Sequence, residues 1–127
     1  MGRRFLFDTN TVIYIINKTM PLEAFRMLSS IQTVYLSVIS EIELLGWKAP
    51  NAADELLYQG FVTKSVLIEI DRAIIDKAIE IRKIYKLKTP DAIIAATALV
   101  HNLTLISRND ADFQRIKKLK YSNPFNI

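Results

Sequence analysis

The chain has 127 residues, of which 50% are hydrophobic and 24% charged. That is the balance of one globular domain over residues 1–127, able to bury a core without covalent staples. It has no Cys and one His, which excludes disulfides, thiolate metal sites and a ribonuclease working through paired histidines, while 17 basic against 13 acidic residues (+4 net) lean toward a polyanionic partner.

The first predicted strand is Phe5-Leu6-Phe7, an apolar run that ends abruptly in Asp8. Thr9 or Asn10 is expected to cap the helix that follows through Val12, Ile13, Ile15 and Ile16. In open α/β sheets such a strand-to-helix corner is where ligands bind, although Asp8 could also serve only as a helix cap. Pro21 starts a second helix with Leu22, Phe25, Met27 and Leu28 on its apolar side. Gln32 to Ser37 reads as the next strand, and Val38 to Leu45 as the helix after it. Gly46 to Pro50 is a loop, Asn51 to Tyr58 a short helix, and Phe61 to Leu67 reads as a strand or irregular chain, with the strand favoured.

Asp71 opens the longest amphipathic helix, with Ile74, Ile75, Ala78, Ile79, Ile81 and Tyr85 as its apolar side. Thr89-Pro90-Asp91 combines a cap, a proline for the first helical position and an acid for the first turn. The helix it opens, Ala92 to Val100, is apolar nearly all round and must be buried, with His101 as its C-terminal cap. Leu103 to Ser107 is a further strand, Arg108 to Phe113 the turn into a last helix, and the tail from Arg115 is basic and then irregular. No run reaches the ~18–20 apolar residues that span a bilayer, and no secretory leader pattern is present, so no membrane and a cytoplasmic location are expected.

Strands alternating with helices predict an α/β fold whose mostly parallel sheet is covered on both faces. Its strand ends then share one edge, and the acids fall there: Asp8 after the first strand, Glu43 on the helix after the second, Asp91 opening the buried helix, and Asp110 and Asp112 after the strand Leu103 to Ser107. Clustered carboxylates raise one another's pKa unless something positive sits among them. Without Cys, the fitting counter-charge is a hard divalent cation with oxygen ligands, Mg²⁺ or Mn²⁺, which suits phosphate-ester chemistry. Plainer readings exist: Ser40-x-x-Glu43 fits a capping box, Asp91 could complement a helix dipole, Asn109 could cap a helix, and Trp47 could pack on its own domain or stack on a base. The run Arg115, Lys117, Lys118, Lys120 is either a solvated helix face or a contact to a phosphate backbone.

Four segments together resemble the PIN domain, specifically VapC-type toxins of toxin–antitoxin pairs. They are Phe5 to Asn10, Leu36 to Leu44, Thr89 to Ala98 and Leu105 to Phe113. The resemblance implies a three-layer α/β/α fold and a Mg²⁺- or Mn²⁺-dependent endoribonuclease. Its acidic set would fall on Asp8, Glu43 and Asp91, with Asp112 compensating for Asn109, which stands where many relatives carry an acid. Asp8 and Asp91 would be the metal ligands. Thr9, Asn10, Ser40, Ser107 and Asn109 would form the polar surroundings, and Arg108, Lys117 and Lys118 would contact the RNA. A homodimer and a cognate VapB-type antitoxin are the implied partners. Two alternatives stand beside this reading: a PIN-like scaffold that binds RNA or protein without cutting, and a haloacid-dehalogenase-like phosphatase, suggested by Phe7-Asp8-Thr9-Asn10-Thr11.

Overall fold

The computed structural model describes residues 3–126. Five short strands form one sheet: β1 (Phe5–Phe7), β2 (Val34–Ser37), β3 (Val66–Ile68), β4 (Thr104–Ile106) and β5 (Tyr121–Ser122). Their order is β3-β2-β1-β4-β5, and every pairing is parallel. Seven helices complete the described residues: α1 (Thr9–Asn17), α2 (Leu22–Ser29), α3 (Val38–Gly46), α4 (Ala52–Lys64), α5 (Arg72–Tyr85), α6 (Thr89–His101) and α7 (Asp110–Phe113), followed by a 3-10 turn at Pro124–Asn126.

The two-residue period of the strands divides the core into two layers. On one face Leu6 and Leu105 meet Ile74, Ala78 and Ile81 of α5, the alanines of α6, and Phe113. On the other, Phe7, Leu36 and Ile106 meet Val12 of α1, Leu28 of α2, Leu44 of α3, and Tyr58 and Val62 of α4. Each fully buried Leu, Ile or Phe contributes about 1.5–3 kcal/mol relative to exposure. The result is the expected three-layer α/β/α sandwich. Ala92, Ala95, Ala96 and Ala98 are at most 1% exposed, and these small side chains let α6 lie close against both α5 and the sheet.

Several boundaries differ from the sequence expectation, each for a physical reason. Residues 61–64, expected in a strand, continue α4, because Tyr58 and Val62 sit one turn apart on the same buried face. Only Val66–Ile68 remains as strand. Ile79, assigned to the buried side of α5, is 49% exposed, since the helix buries the narrower stripe Ile74, Ala78, Ile81. α6 ends at His101 as expected, but the C-cap is Asn102, which takes the left-handed conformation with φ 54°. Thr89 lies inside α6 rather than capping it, and Lys88 occupies the cap position. The basic run is not a helix face: α7 stops at Phe113, and the chain turns before pairing a short β5, missed in the sequence, with β4.

In this strand order, β2 and β3 are added on one side of β1 and β4 and β5 on the other. The chain reverses direction of travel between β1 and β4, opening a crevice at their carboxyl ends.

Candidate active site

Asp8 stands at that crevice. It is 9% exposed and takes extended backbone (φ −78°, ψ 169°) as the N-cap of α1. Its Oδ1 accepts from the Thr11 backbone N–H at 2.8 Å and lies 2.6 Å from Thr11 Oγ1, which also reaches the Ile106 carbonyl at 3.0 Å. The cap is therefore Asp8 itself, not Thr9 or Asn10. Besides capping α1, Asp8 lines two adjoining cavities of about 470 and 330 Å³. Burial raises its pKa above the usual carboxylate range. Hydrogen bonds from Ser107 and Thr11 oppose that rise, and the charge on Glu43 adds to it.

Glu43 projects from α3 toward α1. The capping box at Ser40 does not form, because α3 begins earlier, with Ser37 as its cap, accepting from the Ile39 N–H at 3.1 Å. Ser40 instead lies 3.0 Å from Thr9 Oγ1, and Thr9 donates to Glu43 Oε1 at 2.6 Å. The hydroxyl of Thr9 thus fixes an exposed carboxylate at the cleft mouth. Thr9→Val should leave the fold intact and, if the cleft is catalytic, lower turnover about tenfold or more, because Glu43 would lose the hydroxyl that orients it for proton transfer. Cleavage kinetics on the purified variant would check this.

Asp91, half-buried in the first turn of α6, lines the larger cavity with Asp8, Thr9, Asn10, Asn17, Glu43 and Trp47. Its pKa is also raised, first by burial and then by the charges of Asp112, Asp8 and Glu43, with only Lys88 opposing. One carboxylate thus feels three others from three different segments. Asp112 accepts from Asn109 Nδ2 at 2.8 Å, while Asn109 Oδ1 accepts from the Asp112 N–H at 3.3 Å. Asn109 is therefore both the cap of α7 and the holder of Asp112. Asp110 is used differently. It accepts from Tyr121 Oη at 2.6 Å and from Asn123 Nδ2 at 3.1 Å, tying α7 to β5 and the residue that follows it, and these bonds lower its pKa.

Ser107 is fully buried, with its Oγ accepting from the Asn109 N–H at 3.0 Å. Arg108 is exposed and lines the smaller cavity with Asp8, Asn10, Tyr14 and Asn109. Lys117 and Lys118, expected to contact substrate, line neither cavity. The Lys117 N–H donates to Tyr85 Oη, and Lys118 takes a left-handed turn with φ 68°. Trp47 is 49% exposed, packed edge-on against Tyr58 at 5.8 Å while still lining the acidic cavity.

Sequence reasoning missed Thr11, Tyr14 and Asn17. Thr11 was readable in retrospect, three residues beyond a capping acid, whereas Tyr14 and Asn17 gave no signal apart from their place on α1. Among the described residues no three His, Cys, Asp or Glu side chains form a ready-made metal cage. The donor chemistry nonetheless fits Mg²⁺ or Mn²⁺: every available ligand is oxygen, the two buried-side carboxyls have raised pKa values, and Lys88 is the one cation that eases Asp91. Mg²⁺ in particular keeps several waters and needs only one or two carboxylates.

A family model of the PIN domain matches residues 5–119. A chain from a toxin–antitoxin complex of Klebsiella pneumoniae is similar at 33% identity and TM-score 0.79, with 96% of this chain and 98% of that one covered. A chain of FitAcB from Neisseria gonorrhoeae is similar at 26% identity and TM-score 0.76, over 97% and 99%. A chain of DNA-bound VapBC from Salmonella typhimurium shares the fold at 23% identity and TM-score 0.80, over 97% and 99%. No curated protein matches the sequence.

Proposed function

The chain belongs to the PIN domain family, and on that premise we propose that it is a VapC-type toxin acting as a Mg²⁺- or Mn²⁺-dependent endoribonuclease. The observation that carries this reading is the single cavity at the end of a parallel sheet that Asp8, Glu43 and Asp91 line together, where the charges of the others and of Asp112 raise the pKa of Asp91. Asp8 and Asp91 would hold the ion. When bound, it would neutralise the clustered acids and the negative charge that builds on the phosphodiester.

The chain's own residues supply the rest. Glu43, held by Thr9, would accept the proton of the attacking water or hold a water on the ion. Thr11 and Ser107 keep Asp8 in a single orientation. Asn109 does the same for Asp112. In-line attack of water at phosphorus would break the bond to the 3′ oxygen, which takes a proton from solvent, leaving 5′-phosphate and 3′-hydroxyl ends. The dehalogenase-like alternative gains nothing from the structure: the second acid of that pattern would stand at Asn10, an exposed amide.

The same reading includes a cognate antitoxin and a homodimer. Ile42 and Leu45 of α3, Trp47, and Leu56 and Leu57 of α4 are large apolar side chains left 42–68% exposed. Such a surface next to an acidic cleft suits a partner that offers an apolar face and a basic side chain. No described helix is long and apolar enough to cross a membrane.

The test is incubation of the purified chain with single-stranded RNA and Mg²⁺ or Mn²⁺, with and without EDTA. Cleavage should require the ion and yield 5′-phosphate ends. Cleavage that proceeds equally in EDTA, or none under any ion, would overturn the proposal.

A further inference from the structure

Arg108 follows β4 and faces the smaller cavity beside Asp8, where an arginine would ordinarily pair with a carboxylate. It does not. Among the described residues its guanidinium makes no ion pair and no hydrogen bond. Its carbon centre instead lies 4.2 Å from the ring centroid of Phe125 and 5.7 Å from that of Tyr14. Those two rings meet edge-to-face at 5.1 Å and an interplanar angle of 73°. A guanidinium stacked on a ring keeps its fork of N–H donors unspent and loses less rotamer freedom when it captures a phosphate bidentately.

Phe125 is brought there by a specific latch. It sits in the 3-10 turn Pro124–Asn126, where its N–H donates to Asn123 Oδ1 at 2.9 Å. Asn123 and Tyr121 both donate to Asp110. The acid that the metal site does not use therefore ties down the ring on which Arg108 rests.

Building on the nuclease reading, we propose that Phe125, with Tyr14, is a positioning residue that holds Arg108 beside Asp8 to grip a backbone phosphate of single-stranded RNA next to the one being cut. The contact adds affinity rather than chemistry, so it should appear in KM and Kd and leave kcat nearly untouched.

A double-mutant cycle tests this, read by the anisotropy of a short fluorescein-labelled single-stranded RNA without activating metal, and by KM and kcat with it. Arg108→Ala should weaken binding about tenfold and lower the slope of log affinity against log salt by about one. Phe125→Leu, which keeps the bulk and removes the ring face, should weaken binding about three- to tenfold with kcat within about twofold. Phe125→Tyr should restore the affinity. In the Arg108→Ala background, Phe125→Leu should cost nothing further, because its effect passes through the guanidinium. Equal losses in both backgrounds, unchanged binding by Phe125→Leu, or a loss confined to kcat would overturn the inference, as would an absence of RNA binding by the unmutated chain. Should Phe125→Leu fail to fold, Tyr14→Leu carries the same cycle. If the unmutated chain binds RNA with this coupling yet never cuts it, the nuclease reading falls and the phosphate grip stands.

Discussion

Asp91→Asn is expected to reduce RNA cleavage at least about a thousandfold while raising the melting temperature of the metal-free protein. The two effects have a common origin. Asp91 lies half-buried at the start of a helix and faces the charges of Asp112, Asp8 and Glu43, with Lys88 alone in opposition. A carboxyl whose folded-state pKa exceeds its unfolded value binds its proton more readily in the native protein. Stability is then lost as pH rises through the interval between the two values, and the penalty is complete above the folded one. The amide keeps the shape and removes the charge, so near neutral pH the variant escapes that penalty. A gain of ~1 kcal/mol would shift the melting temperature of a chain this size by about 3–5 °C. The advantage should vanish as pH falls below the unfolded value, where the wild-type acid is neutral too. Asp8→Asn should behave alike, since burial raises that pKa as well. Asp8→Ala should not, because it also removes the acceptor that caps α1 at Thr11, worth about 0.5–2 kcal/mol. Thermal melts between acid and neutral pH, run beside cleavage assays, check both halves. A metal-free Asp91→Asn protein less stable than wild type at neutral pH would show that the crowding of charge is not felt.

The acids that line the cleft stood out in the sequence because they occupy places that local rules mark: the polar residue ending an apolar run, the first turn of a helix, the turn after a buried strand. Those positions marked Asp8, Glu43 and Asp91 together with Asp110 and Asp112, parallel β/α alternation put them on one sheet edge, and the resemblance to the PIN domain singled out the first three. The remaining distinctions depend on contacts between remote segments. Asp110 and Asp112 are equivalent by pattern. Tyr121 and Asn123, more than ten residues downstream, claim the first and leave the second facing Asp91. Glu43 also fitted a capping box, and only the approach of α1 shows that Thr9 holds it. The β-branched and aromatic residues at 61–63 favoured a strand, yet a helix already running from Asn51 gains more by burying Val62 beneath Tyr58. A strand as short as β5 carries too little periodicity to be read at all.

Mn²⁺ should raise the melting temperature of the unmutated chain in proportion to the logarithm of its concentration, a result independent of catalysis. An ion that binds the native state alone stabilises it by mass action, about 2.7 kcal/mol at a hundred times Kd, or roughly 10 °C here. The response should come mainly from two carboxyls, because no third ligand stands ready in a cage and an ion of this kind fills its remaining positions with water. Protons compete for the same oxygens, and the raised pKa values of Asp8 and Asp91 bring that competition in at a higher pH than ordinary carboxylates would allow. The shift should therefore be full near neutral pH and shrink as the solution is acidified. Asp8→Asn or Asp91→Asn should each lose most of it, and the pair together all of it, while Asp110→Asn should keep it, since that carboxyl is engaged with Tyr121 and Asn123. A shift of the same size in the double variant would place the ion elsewhere on the protein and remove the physical basis for reading this cleft as a nuclease centre.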